Sequence, residues 1–133
     1  MAVTSSETIS VVSESDVVNV RQRVREATSR LGFSLVDQTK MVTAASELAR
    51  NTLIHGGGGA MDLIMLNGPR LGLQLVFADK GPGIADISLA LRDGFTTGSG
   101  LGLGLGGAKR LVNDFQIDSK PGTGTKVTVT RWK

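Results

Sequence analysis

Ten consecutive residues, Gly98-Ser99-Gly100-Leu101-Gly102-Leu103-Gly104-Leu105-Gly106-Gly107, alternate glycine with a second residue that is usually leucine. Alternating glycines expose backbone N–H groups, and a helix expected from Ala108 to Phe115 would add its positive end, a combination suited to cradling phosphates. Flexible linkers are Gly/Ser rather than Gly/Leu, so Leu101, Leu103 and Leu105 argue against a linker. The run contains no Gly-Lys-Ser/Thr, hence no Walker P-loop, and it follows no strand, which counts against a Rossmann fingerprint. A phosphate-binding lid ahead of a helix is the favoured reading, with a flexible linker as the alternative. It belongs to a chain with 18 glycines in 133 residues, well above the ~7% of ordinary proteins.

The length suits one domain spanning residues 1–133, able to bury a core without staples. No cysteine and a single His leave neither a disulfide framework nor a thiolate or histidine metal site. The opening MAVTSSETIS lacks a signal-peptide pattern, and no apolar run approaches the ~20 residues of a membrane helix, so the expected location is cytoplasmic with no membrane partner. The net charge of +3 is spread along the chain, and with few aromatics there are no base-stacking platforms; no nucleic-acid partner is expected.

Thr8 to Val12 reads as a strand, with residues 1–7 disordered before it. Ser13-Glu14-Ser15-Asp16 has capping-box spacing, and Val17, Val20, Val24, Ala27 and Leu31 recur at helical intervals up to Gly32. Ser34-Leu35-Val36-Asp37 opens a second helix with the apolar stripe Met41, Ala44, Ala45, Leu48 and Thr52, ended by Gly56 to Gly59. Ala60 to Leu66 and Leu71 to Asp79 form a hairpin across Asn67-Gly68-Pro69-Arg70. Asp86 to Arg92 reads as one or two helical turns. Gln116 to Ser119 and Thr125 to Trp132 close the chain as strands around Pro121-Gly122-Thr123-Gly124. Strands with helices on one face make an α+β sandwich.

Glu47, Asn51 and His55 stand at i, i+4 and i+8 on the second helix, one polar stripe. A carboxylate and an amide oxygen on a rigid face can orient a hydroxyl and ligate Mg²⁺; the competing reading is a solvated face with a Glu47–Arg50 pair. Asp79-Lys80-Gly81-Pro82-Gly83 ends an apolar strand, where an Asp can accept a hydrogen bond from a ligand amine and Gly81 and Gly83 permit close backbone approach. An ordinary turn is the alternative. Gly122-Thr123-Gly124-Thr125 alone is a hairpin turn, with the Thr125 hydroxyl at the head of the last strand.

The order of these motifs, from about Val36 onward, resembles the GHKL ATPases, the gyrase, Hsp90, histidine-kinase and MutL group. The resemblance implies a two-layer α/β sandwich of the Bergerat type, a mixed sheet with helices on one face. It further implies that ATP and Mg²⁺ bind there: Asp79 with Gly81 and Gly83 at the adenine, Thr125 supporting it through water, Asn51 on the metal, and Gly100, Leu101, Gly102, Leu103 and Gly104 around the phosphates. The ELARN string at Glu47 to Asn51 and GFTTGSGLGLGLGGAKRL at Gly94 to Leu111 look like the RsbT-type serine/threonine kinases, switch proteins of stressosome pathways. That likeness implies Glu47 as the catalytic residue, small STAS-domain partners as substrates, and binding of a PP2C-type phosphatase on release. Arg50 and Lys109 could add positive charge near the phosphates, but read more simply as a surface ion pair and a solvated helix charge. The alternatives are an anti-sigma-factor kinase sharing the same motifs, and a non-catalytic ATP-gated binding module. Glu47 favours a kinase; Gln there would have favoured the module.

Overall fold

A computed structural model describes residues 2–84, 86–91 and 104–133. In chain order the elements are β1 (Ala2–Val11), α1 (Glu14–Arg30), α2 (Leu35–Ile54), β2 (Gly59–Asn67), β3 (Gly72–Asp79), α3 (Ile87–Ala90), α4 (Gly104–Arg110), β4 (Asp114–Lys120) and β5 (Gly124–Trp132). Both long helices start where their caps predict. Ser13 accepts from Asp16 N and Ser34 from Asp37 N, each satisfying an amide that has no partner within its own helix.

The five strands order as β1-β2-β3-β5-β4, and every neighbouring pair is antiparallel. This differs from the mixed sheet expected. β3 and β4 do run the same way, but β5 returns between them, so no parallel pair is hydrogen-bonded. The α1–α2 hairpin similarly brings β2 back antiparallel to β1. The α+β sandwich itself is as expected.

Register lines up residues that alternate along each strand. Ile9, Met61, Phe77, Val127 and Ile117 form one cross-sheet row, and Leu63, Leu75, Val129 and Phe115 the next. Together with Val17, Val20 and Val24 of α1 and Met41, Ala44, Ala45 and Leu48 of α2 they make the core. α2 touches α1, the sheet and α4, which explains why residues 44–49 are buried all round rather than on one stripe.

Residues 2–7, read as disordered, are paired with β2. Their polar side chains carry no apolar alternation, so the pairing comes from the neighbouring strand's free edge and from Glu7, which receives the fork of Arg23 on α1. The helix expected over Ala108 to Phe115 lies earlier, at Gly104–Arg110, with Leu105, Gly106 and Ala108 buried. Packing on α2 outweighs the poor helix propensity of glycine, whose missing side chain lets the two helices approach. Asp114 and Phe115 instead pair with Thr130 and Val129 of β5.

Candidate active site

Two residues beyond the row that holds Phe77 and Val127, on the same helix-covered face, Asp79, Thr125 and Ser119 stand at paired positions on β3, β5 and β4. The apolar core therefore ends in a polar row. Asp79 Oδ1 accepts from Gly81 N at 2.9 Å and from Thr125 N at 3.3 Å, which pins the carboxylate. Oδ2 takes no hydrogen bond among the described residues and is the oxygen left to accept from a ligand.

Three backbone segments converge here. A methyl group on Gly56, just past α2, would come within 2.3 Å of the Asp79 carboxyl carbon, and one on Gly81 within 2.7 Å of Gly56 Cα. Gly83, at φ +77, would meet the Lys120 carbonyl oxygen at 2.1 Å, while Gly122 N donates to Pro82 O at 2.7 Å. The close approach that Gly81 and Gly83 permit is thus first an approach of the chain to itself. It brings the end of α2, the loop after β3 and the β4–β5 turn together around one carboxylate.

Glu47 lies in the buried middle of α2, 6% exposed, and its Oε1 has no hydrogen-bond partner among the described residues. A solvated face is therefore ruled out for it, and its expected partner Arg50 points elsewhere, with Nη1 3.7 Å from Glu14 Oε2. An unpaired buried carboxylate oxygen is costly and calls for an explanation beyond packing. One turn on, Asn51 is half-buried with its side-chain amide unbonded among the described residues, and its carbonyl accepts from His55 N and Gly56 N in the final turn of α2. His55, third in the stripe, is the exposed C-cap. Lys109 is exposed on α4.

Residues 19–133 match the family model described as histidine kinase-, DNA gyrase B-, and HSP90-like ATPase. The serine/threonine-protein kinase RsbT of Bacillus subtilis (strain 168) is 40% identical over 93% of this chain and 94% of its own. The chain belongs to this ATPase family, as an RsbT-type serine/threonine-protein kinase. The anti-sigma F factor of Thermoanaerobacter sp. (strain X514) is 30% identical over 68% of this kinase and 66% of its own length. Among solved structures, the RsbU and RsbW domains of a Mycobacterium tuberculosis protein match with a TM-score of 0.66 at 21% identity, over 97% of this chain and 33% of that one. The mycobacterial sensor histidine kinase MprB matches at 0.56 and 19% identity, over 96% and 97%. At such identities the likeness speaks to the fold alone. Use of ATP follows from the family.

For the kinase, the sequence-predicted residues divide into three groups. Asp79, Gly81, Gly83 and Thr125 come together around the polar row, and Glu47 and Asn51 share a face of α2. Gly104 opens α4 at φ +62, whereas Gly100, Leu101, Gly102 and Leu103 lie outside the described residues. Two residues of the polar end belong to no motif in the sequence: Gly56 reads there as a helix terminator and Ser119 as a strand residue. The alternation Phe115, Ile117, Ser119 was the available signal, since it puts the serine on the core face. Among the described residues no cluster of three His, Cys, Asp or Glu could hold a metal, and no helix is long and apolar enough to cross a membrane.

Proposed function

We propose that this kinase transfers the γ-phosphoryl group of Mg-ATP to a Ser or Thr hydroxyl of small STAS-domain proteins in a bacterial stress-signalling partner switch, and binds a PP2C-type phosphatase once released. The observation that carries the catalytic part is the buried Oε1 of Glu47, unpartnered among the described residues. A buried carboxylate oxygen kept free is suited to taking a proton that arrives with a substrate. The whole chain is proposed to be one kinase domain.

Bound Mg-ATP supplies the phosphoryl group and a metal charge that offsets the phosphates. Glu47 orients the acceptor hydroxyl and takes its proton as the new O–P bond forms and the bond to the departing ADP oxygen breaks. Asn51 offers its amide oxygen to Mg²⁺. A site with one protein oxygen suits this ion, which keeps several waters and takes other ligands from phosphates. The last turn of a helix also favours a cation through the exposed carbonyls there. Asp79 accepts from the adenine amino group through Oδ2, and Thr125 supports that contact. Gly100, Leu101, Gly102, Leu103 and Gly104 wrap the phosphates. The resemblance to anti-sigma F factors favours a second reading, in which the kinase also holds a sigma factor.

Incubation of the purified kinase with labelled ATP, Mg²⁺ and candidate STAS proteins tests this. Transfer of label to Ser or Thr is expected. ATP binding without transfer to any STAS protein would favour a non-catalytic, ATP-gated switch, and capture of a sigma factor would favour the second reading.

A further inference from the structure

Ser119 carries a hydroxyl at the polar end of the sheet to which no role has yet been given. Its Oγ accepts from Ile84 N at 2.8 Å, lies 3.1 Å from the Gly124 carbonyl oxygen, and lies 2.7 Å from Thr125 Oγ1. A serine hydroxyl has one proton and two lone pairs. Ile84 N–H fills one lone pair. If the serine proton goes to the Gly124 carbonyl, the short contact with Thr125 must be donated by Thr125, and it fills the second. Every group is then satisfied. The opposite order, with Ser119 donating to Thr125, leaves two bare oxygens facing each other at the Gly124 carbonyl. In the first order Thr125 spends its proton inside the protein, and only lone pairs remain on its oxygen.

We propose that Ser119 is a specificity-determining positioning residue: by taking the Thr125 proton, it leaves Thr125 Oγ1 and Asp79 Oδ2 as two acceptors that select a purine with an amino group at position 6 over one with a carbonyl. This rests on the adenine pocket proposed above. An amino group has two N–H bonds to give and can serve both acceptors, directly or through a water. A carbonyl oxygen in the same place has none, and buried acceptors left facing it go unpaired.

The test compares dissociation constants for ATP and GTP, by calorimetry, in the wild type, Ser119→Ala, Thr125→Val and the double variant. Ser119→Ala frees the Thr125 proton for donation into the pocket, and the preference for ATP should fall about tenfold, the size of one mispaired buried hydrogen bond. Thr125→Val should lower the preference as well. Because Ser119 acts through Thr125, the double variant should lose no more than Thr125→Val alone. A serine that merely braces Ile84 and Gly124 would weaken both nucleotides alike and leave the ratio intact. Ser119→Thr, which keeps the hydroxyl, should restore the ratio. An unchanged ratio in folded Ser119→Ala, or additive losses in the double variant, overturns the proposal. Should Ser119→Ala not fold, an unchanged ratio in Thr125→Val overturns it equally. A wild type that binds neither nucleotide refutes the adenine pocket itself, an outcome distinct from a wild type that binds ATP with a ratio indifferent to Ser119.

Discussion

Two carboxylates, Asp79 and Glu47, carry the proposed chemistry, and their surroundings suit them to different work. Asp79 is tied down by two backbone amides on one oxygen, so its other oxygen is held in a fixed direction. Such a group suits recognition, which depends on geometry settled before the ligand arrives. Asp79→Asn replaces an acceptor by a donor at that spot, and calorimetry should find ATP affinity reduced by about tenfold or more; unchanged affinity in the folded variant would remove Asp79 from the pocket. Glu47 is buried with one oxygen unpaired among the described residues, an arrangement suited to the proposed proton transfer. Glu47→Ala should lower the rate of phosphoryl transfer by ~10²–10⁴ in single-turnover measurements, with ATP affinity much less affected. Full transfer activity in that variant would sink its catalytic role.

Between elements, the decisive contact is the one that lets α2 end against β3. Gly56 and Gly81 face each other closely enough that a single added methyl meets backbone or the Asp79 carboxylate. The carboxylate cannot simply swing aside, because it would give up both of its backbone hydrogen bonds. Gly56→Ala is therefore expected to weaken ATP binding by about tenfold or more, while the helix and strand on either side remain formed. Circular dichroism paired with calorimetry checks both halves, and an alanine variant that binds ATP like wild type would show that the contact does not shape the pocket. α4 illustrates the same point in reverse. A helix containing Gly104, Gly106 and Gly107 has little propensity of its own, and it forms where Leu105 and Ala108 are buried.

Across the whole chain, the first turn of α2 is joined to the last strand by Asp37 and Arg131, with Arg131 Nη2 2.7 Å from Asp37 Oδ1 and Nη1 2.9 Å from the Leu111 carbonyl oxygen. One guanidinium thus links α2, the segment after α4 and β5. The hydrogen bond from Arg131 holds the Asp37 carboxyl below its ordinary range, against a smaller opposing effect of desolvation. A lowered carboxyl pKa in the folded state stabilises the protein above the unfolded value and loses that contribution as pH falls through the folded one. Asp37→Asn should therefore be less stable than wild type at neutral pH, with the gap closing in acid. Denaturant titrations at pH 7 and near pH 3 measure it, and a gap that does not change with pH would mean the ion pair contributes nothing.

Local patterns were readable without coordinates because they depend on near neighbours in the chain. Ser13 and Ser34 cap the helices their spacing announced, the stripe Met41, Ala44, Ala45, Leu48 is buried, and the hairpin of β2 and β3 turns where Asn67-Gly68-Pro69-Arg70 said it would. Asp79 and Thr125, 46 residues apart, were both marked by glycine motifs, yet nothing local says that they are register partners joined by a hydrogen bond. The burial of Glu47 was hidden for a related reason: periodicity reports one buried face, whereas α2 is enclosed by α1, the sheet and α4. Residues 2–7 and the start of α4 show the same dependence, since a polar segment became a strand and a glycine-rich one a helix only through their neighbours. Ser119 is the clearest case, because its significance lies wholly in partners on other segments: Ile84, Gly124 and Thr125. Motifs announce which chemical groups are present, through short-range sterics and hydrogen bonding. Which of them face one another depends on long-range packing.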